Sequence, residues 1–196
     1  MPRLLALLFA GALSCAHAQD ALPIAPPVVA ASAAVDPAIL ARIQAMPHGT
    51  RPDPSTYLPP AFIAAHLAQF DAGACRFAID ATVRKYGVGQ KDGTSFVMPC
   101  SEAEQLVQAS AGDRSKLERG LGLSAHTLDG ELIMIKIAHP RTMHLRLPSG
   151  NEAGANSAWL PGGLVPSGSR EAVVDITAEL ARKFEVVPLL LRQATP

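Results

Sequence analysis

The stretch ELIMIKI, Glu131 to Ile137, decides the fold class. The Asp129-Gly130 turn signal precedes it, and a short apolar run bounded in this way reads as a strand. Working upstream, ACRFAID (Ala74 to Asp80) reads as another short strand. TSFVM, opened by the Asp92-Gly93 turn, reads as a third, alternating Ser95/Val97 with Phe96/Met98. Short helices fall between them. One follows Pro60, with Phe62, Ile63, Leu67 and Phe70 near one face. A brief one runs to Tyr86, a third opens at a Ser101-Glu102-Ala103-Glu104 capping box, and a fourth is capped by Asp113.

Downstream, His144 to Leu147 reads as a short strand, EAVVDI as another, Thr177 as the cap of TAELARKF, and EVVPLLLR as a closing edge strand that tolerates Pro188. The order predicts an α+β domain, a small mixed or antiparallel sheet flanked by short helices. It is expected to span 57–196.

One stretch resists this pattern. From Arg146 to Ile176, RLPSGNEAGANSAWLPGGLVPSGSREAVVDI, more than twenty residues between two strands carry almost no periodicity. Five glycines and three prolines shape the path, and the chain's only Trp, Trp159, sits in the middle. Loops of this length inside a compact domain are usually functional or disordered, and the Trp with flanking Asn and Glu argues for the former.

The N-terminus reads as a secretory signal over 1–18. Arg3 is the n-region, Leu4 to Leu13 the apolar core, and Ala16-His17-Ala18 the cleavage site. This predicts a periplasmic or secreted protein with no membrane span, since no apolar run approaches the roughly 20 residues required. Residues 19–56, rich in Pro and Ala, read as a linker holding one short helix with Asp36 as N-cap and Pro37 at N1. That helix either docks on the domain or floats. Two cysteines remain after cleavage, Cys75 and Cys100. In an exported chain an even pair favours a disulfide, the alternative being two buried thiols.

With the signal removed, 16 basic residues face 17 acidic ones. Such balance gives no electrostatic footprint for nucleic acid. The sequence has no phosphate-binding P-loop, no dinucleotide fingerprint and no nucleophile elbow. The histidines show no metal spacing, so no metal is expected.

Three positions stand out. Arg76, mid-strand, is either a solvent-facing charge or an anchor for a phosphate or carboxylate. Thr94 and Ser95 are either a turn-capping pair or hydroxyls that orient such a group. Glu171, at the exit of the long loop, is either an ordinary strand-end charge or a carboxylate at a cleft edge. Asn151, Glu152 and Asn156 offer further polar groups from the loop or bond it to itself.

The strings DAGACRF, GTSFVMP followed by SE, and LPSGNEAGAN-x-x-W-x-PGG with a later EAV resemble C-terminal toxin domains of bacterial polymorphic toxins, over roughly Tyr57 to Ile176. This chain differs in being short and in having its own signal. The layout is also similar to ADP-ribosyltransferases, which place an Arg or His on an early strand, a Ser/Thr or Tyr on a second and a Glu on a late strand. The resemblance implies action on NAD, by ADP-ribosyl transfer or NAD hydrolysis. Arg76 would hold a phosphate or ribose, Thr94 and Ser95 would brace the pocket, and Glu171 would stabilise the developing positive charge. Asn151 and the Trp159 loop would contact the dinucleotide or present the target. It further implies a host or competitor protein as target and an immunity protein as partner. Two alternatives remain. One is a metal-independent nuclease using His126, His139 or His144 with Arg76 or Lys136; the other is a non-catalytic binding module whose recognition surface is the Trp159 loop.

Overall fold

The computed structural model describes residues 36–157 and 159–192. The expected signal peptide, its cleavage site and the first part of the linker lie outside these residues. The chain order is α1 (Pro37–Gln44), α2 (Pro60–Ala68), β1 (Ala74–Ile79), α3 (Asp80–Tyr86), β2 (Thr94–Pro99), α4 (Cys100–Ser110), α5 (Arg114–Gly120), β3 (Leu132–Ile137), β4 (Ala172–Asp175), α6 (Ala178–Ala181) and β5 (Glu185–Leu189). The five strands form one sheet in the order β4-β2-β1-β3-β5, with every neighbouring pair antiparallel. This is the α+β class that the strand and helix pattern implies.

Residues paired across antiparallel strands share a face, and successive residues alternate faces. The register therefore sorts the side chains. Ala74, Arg76 and Ala78 share one face with Ile137, Ile135 and Ile133 of β3, and with Ser95, Val97, Val174 and Ala172 on the β2–β4 side. Leu67 and Phe70 of the α2 region cover that face around Ala74, Val97 and Ile137; Phe184 packs there too. Cys75, Phe77, Phe96, Met98, Met134 and Val173 lie on the other. Ala103 and Leu106 of α4, with Leu117 and Leu121 of or beside α5, cover part of this second face.

A disulfide joins Cys75 on β1 to Cys100 at the start of α4, 25 residues apart. In the chain-entropy account, closing a loop of that length stabilises the fold by about 3.5 kcal/mol.

Of the two alternatives for the helix in the Pro-rich segment, the docked one is observed. Asp36 caps α1 by accepting from the Ala38 amide at 2.8 Å. Ile43 is buried, and Leu40 packs on Leu58, Phe62 and Leu147. Composition understates this segment because a few specific contacts, rather than a broad apolar face, hold it. Two expectations are corrected. His144 to Leu147 is not a strand: a 3-10 turn over Pro140–Met143 ends at His144 with φ of +51°, leaving only a single bridge from Arg146 to Val173. The capping box at Ser101 does not form. Pro99 occupies the N-cap of α4, and Glu104, the glutamate of that box, is bonded to Lys136 instead.

Candidate functional site

The long loop folds over the second sheet face and borders a half-open cavity of about 250 Å³. Phe77 and Met98 line it from the sheet, Phe96 from β2, and Trp159, Arg170 and Glu171 from the loop. Three of the chain's nine aromatic residues thus meet at one cavity. The volume is below that of typical drug-sized pockets and suits a single ring.

Glu171 directly precedes β4 and follows the alternation of Val173, so it belongs to the face of Met98 and Phe96. Its backbone is fixed on both sides: the amide donates to the Gly163 carbonyl at 2.7 Å, and its carbonyl accepts from His66 Nε2 at 3.0 Å. Gly163 has φ of +73°, and a Cβ there would come within 2.5 Å of Leu147 and 2.9 Å of the Glu171 carbonyl. Only glycine lets the two loop arms approach this closely.

The Glu171 side chain is treated differently. Among the described residues its carboxyl accepts no hydrogen bond and has no ion-pair partner. Burial, and then the nearby charge of Glu152, push its pKa up to about 7. Glu152 itself is buried but well seated: it accepts from Ser149 N at 2.9 Å, Ser149 Oγ at 3.1 Å and Gly150 N at 2.9 Å.

Trp159 is 4% exposed, so the indole is a wall rather than a surface feature. The Arg51 guanidinium stacks 4.4 Å from its ring centroid and donates to the Gly150 carbonyl at 2.7 Å. Gly150, at φ of +81°, lies so close that a Cβ would fall 2.7 Å from the indole. Asn151 completes the clamp, accepting from Gly49 N at 2.8 Å and donating to the Arg51 carbonyl at 2.9 Å. Among the described residues Trp159 Nε1 and Arg170 Nε are buried without a hydrogen-bond partner.

The residues singled out in the sequence separate into two groups. Glu171 and Trp159 line the cavity. Arg76 contributes to the lining, yet its guanidinium belongs to the opposite face, where Nη1 donates to Ser95 Oγ at 2.7 Å and to the Val88 carbonyl. Burial alone lowers its pKa. Ser95 is fully buried on that far face. The pleat therefore keeps Arg76 and Ser95 from converging with Glu171. Thr94 caps its turn, donating from Oγ1 to Asp92 at 2.7 Å, and Asn151 works in the clamp. Both lie outside the cavity lining.

His126, His139 and His144 also lie outside it. His126 pairs with Asp129 at 3.1 Å, His144 with Asp175 at 2.9 Å, and Lys136 with Glu104 at 2.7 Å. Among the described residues no group of three or more His, Cys, Asp or Glu is placed to hold a metal ion, and no helix is long and apolar enough to cross a membrane.

The sequence reading missed two residues. Arg51 fell in the supposed linker. His66, 1% exposed, lies between Phe62 and Phe70 at intervals of four residues, a helical spacing that was visible in the sequence. Because a carbonyl can only accept, His66 Nε2 must carry the proton that it gives to Glu171, and burial lowers the pKa of the ring. No family model matches the chain, and no curated protein is similar to it.

Proposed function

We propose that this chain is a secreted bacterial effector that acts on NAD, by ADP-ribosyl transfer or by hydrolysis, with Glu171 as its catalytic carboxylate. The observation that carries the reading is a carboxyl, backbone-fixed yet without a partner among the described residues, in a cavity whose lining includes three aromatic rings. The cavity would take the nicotinamide end, stacked against the aromatic walls, while the rest of the dinucleotide lies beyond the mouth. The bond between the ribose C1′ and the ring nitrogen breaks, and its electron pair leaves with neutral nicotinamide. Ionised Glu171 stabilises the cationic ribose left behind. A water or a target side chain then bonds to C1′, and its proton passes to Glu171, whose pKa near 7 suits both roles at neutral pH.

In this reading Arg76 and Ser95 support the sheet from the far side rather than holding phosphate. The partners are a protein target or water, and an immunity protein in the producing cell, as the toxin resemblance suggests. Because NAD is scarce outside the cytosol, the activity requires delivery into another cell. Incubating purified protein with NAD should release nicotinamide, and Glu171→Gln should abolish release while the protein still unfolds cooperatively, at a Tm no lower than the wild type's. Unchanged turnover in that variant refutes the role of Glu171; no turnover by the wild-type protein, in the presence of a cell extract as acceptor, refutes the NAD reading.

A further inference from the structure

We infer that Arg51 is a positioning residue: it sets the Trp159 wall of the cavity, and through it substrate affinity, separately from Glu171. The effect on affinity rests on the reaction proposed above; the hold on the wall does not. Arg51 is outside the cavity lining, so it acts on a ligand only through the indole. Its guanidinium is fixed on three sides. Nε donates to the Met46 carbonyl at 3.1 Å, Nη1 donates to the Gly150 carbonyl at 2.7 Å, and Cζ lies 4.4 Å from the Trp159 ring centroid. A planar fork can stack on a ring and donate in two directions at once, which a compact point charge cannot.

The loop is anchored as two halves. Among the described residues, every hydrogen bond between 46–51 and the loop ends on Gly150, Asn151 or Glu152 in the entry half. Asn151 Oδ1 accepts from Gly49 N at 2.8 Å and from Arg51 N at 3.3 Å, and Asn151 Nδ2 donates to the Arg51 carbonyl at 2.9 Å. The Glu152 carbonyl accepts from His48 Nε2 at 3.2 Å. The exit half is tied to α2 and α4 instead. His66 donates to the Glu171 carbonyl, and Glu102 accepts from the Arg170 amide and side chain. The halves join through Gly162, which has φ of +100° and open space where a Cβ would lie. A glycine joint in open space couples its two sides weakly. Displacing the Trp159 wall therefore weakens ground-state and transition-state contacts alike, which raises KM, whereas displacing Glu171 lowers kcat.

The test compares one variant from each anchor in the full chain, below its unfolding transition. Arg51→Met keeps an apolar stem against the indole and removes the guanidinium; His66→Leu removes the donor to the Glu171 carbonyl. Trp159 is the chain's only Trp, so emission reports on the wall alone. Arg51→Met should red-shift that emission and raise its quenching by acrylamide, while His66→Leu should leave both at the wild-type values. In NAD turnover, Arg51→Met should raise KM about tenfold with kcat within about twofold, and His66→Leu should lower kcat about tenfold with KM within about twofold. Arg51→Lys keeps a cation but not the fork, and should show the Arg51→Met pattern at smaller size. An unshifted emission in both Arg51 variants overturns the inference. So does a shift in His66→Leu as large as that in Arg51→Met, or a kcat loss in Arg51→Met matching its rise in KM, because the loop would then move as one body. The emission contrast without NAD turnover would retire the proposed reaction and leave the hold of Arg51 on the wall standing; turnover without the contrast would do the reverse.

Discussion

Replacing Glu171 by Gln should make the protein more stable at alkaline pH. The carboxyl ordinarily titrates at 4.5 and is pushed up to about 7 in the fold, chiefly by burial and then by Glu152. A carboxyl with a raised pKa binds its proton more tightly in the folded state than in the unfolded one. Below pH 4.5 both states are protonated and the group costs nothing. Between 4.5 and 7 the unfolded chain ionises first, so stability falls as pH rises, and above 7 the penalty levels off. The span corresponds to about 3 kcal/mol, reduced to about 2–3 because the side chain is not fully enclosed. Gln has nearly the same shape and cannot ionise. Glu171→Gln should therefore match the wild type at pH 4 and exceed it by about 2–3 kcal/mol at pH 8.5, a rise in Tm of roughly 4–12 °C for a domain of this size. Urea unfolding followed by Trp159 emission gives both curves, since that buried indole becomes solvated on unfolding. A Gln variant no more stable at pH 8.5, or a difference that persists undiminished at pH 4, would refute the description of Glu171 as a half-buried carboxyl without a partner among the described residues.

Three further outcomes follow from other parts of the fold. Ser95→Ala removes an acceptor from the buried Arg76 guanidinium and should cost about 1.5–3 kcal/mol, while kcat and KM for NAD stay unchanged; a loss of turnover at full stability would contradict the assignment of the two residues to the far face. The double variant Cys75→Ser/Cys100→Ser should lose about 3.5 kcal/mol in urea unfolding, and added reductant should bring the wild type to the same midpoint. Gly150→Ala forces a Cβ against the indole at positive φ and should destabilise by about 1–3 kcal/mol with a red-shifted Trp159 emission; an unshifted spectrum would show that Arg51 and Gly150 do not hold the ring.

The parts of the fold that were legible in the sequence are those fixed by local chemistry. The Asp113 cap of α5 accepts from Ser115 N at 2.9 Å, the Thr177 cap of α6 from Leu180 N at 3.2 Å, and β3 falls within the apolar run. Ser101 fails as a cap because the helix already begins at Cys100 behind Pro99, and Glu104, the glutamate of the box, is paired with Lys136 of β3, 32 residues away. His144 fails as strand because it turns into the left-handed region before Arg146 can pair. The site divides along the same line. That Glu171 leaves the loop at the head of a strand was readable; that Arg76 and Ser95 face the other way was not. The face depends on the pairing of β2 with β4, strands separated by more than seventy residues, and a slip of one residue would have reversed it.

The contrast between the loop's two glutamates is the strongest reason to regard Glu171 as functional. Glu152 is buried and Glu171 half-buried, and both belong to the same irregular segment. Glu152 is supplied with two backbone amides and a hydroxyl, and it also holds the N-terminal segment through its carbonyl, which accepts from His48 at 3.2 Å. That is a carboxylate used to shape a loop. Glu171 has no such support for its side chain, although its own amide and carbonyl are tied down on both sides. A loop that merely needed closing would be served as well by Gln or Val at this position, without a penalty at neutral pH. Fixing the backbone while leaving the carboxyl without a protein partner among the described residues is the arrangement expected of a preorganised site. The loss of stability expected of Glu171 and the catalytic role proposed for it are then two readings of the same partly desolvated carboxyl.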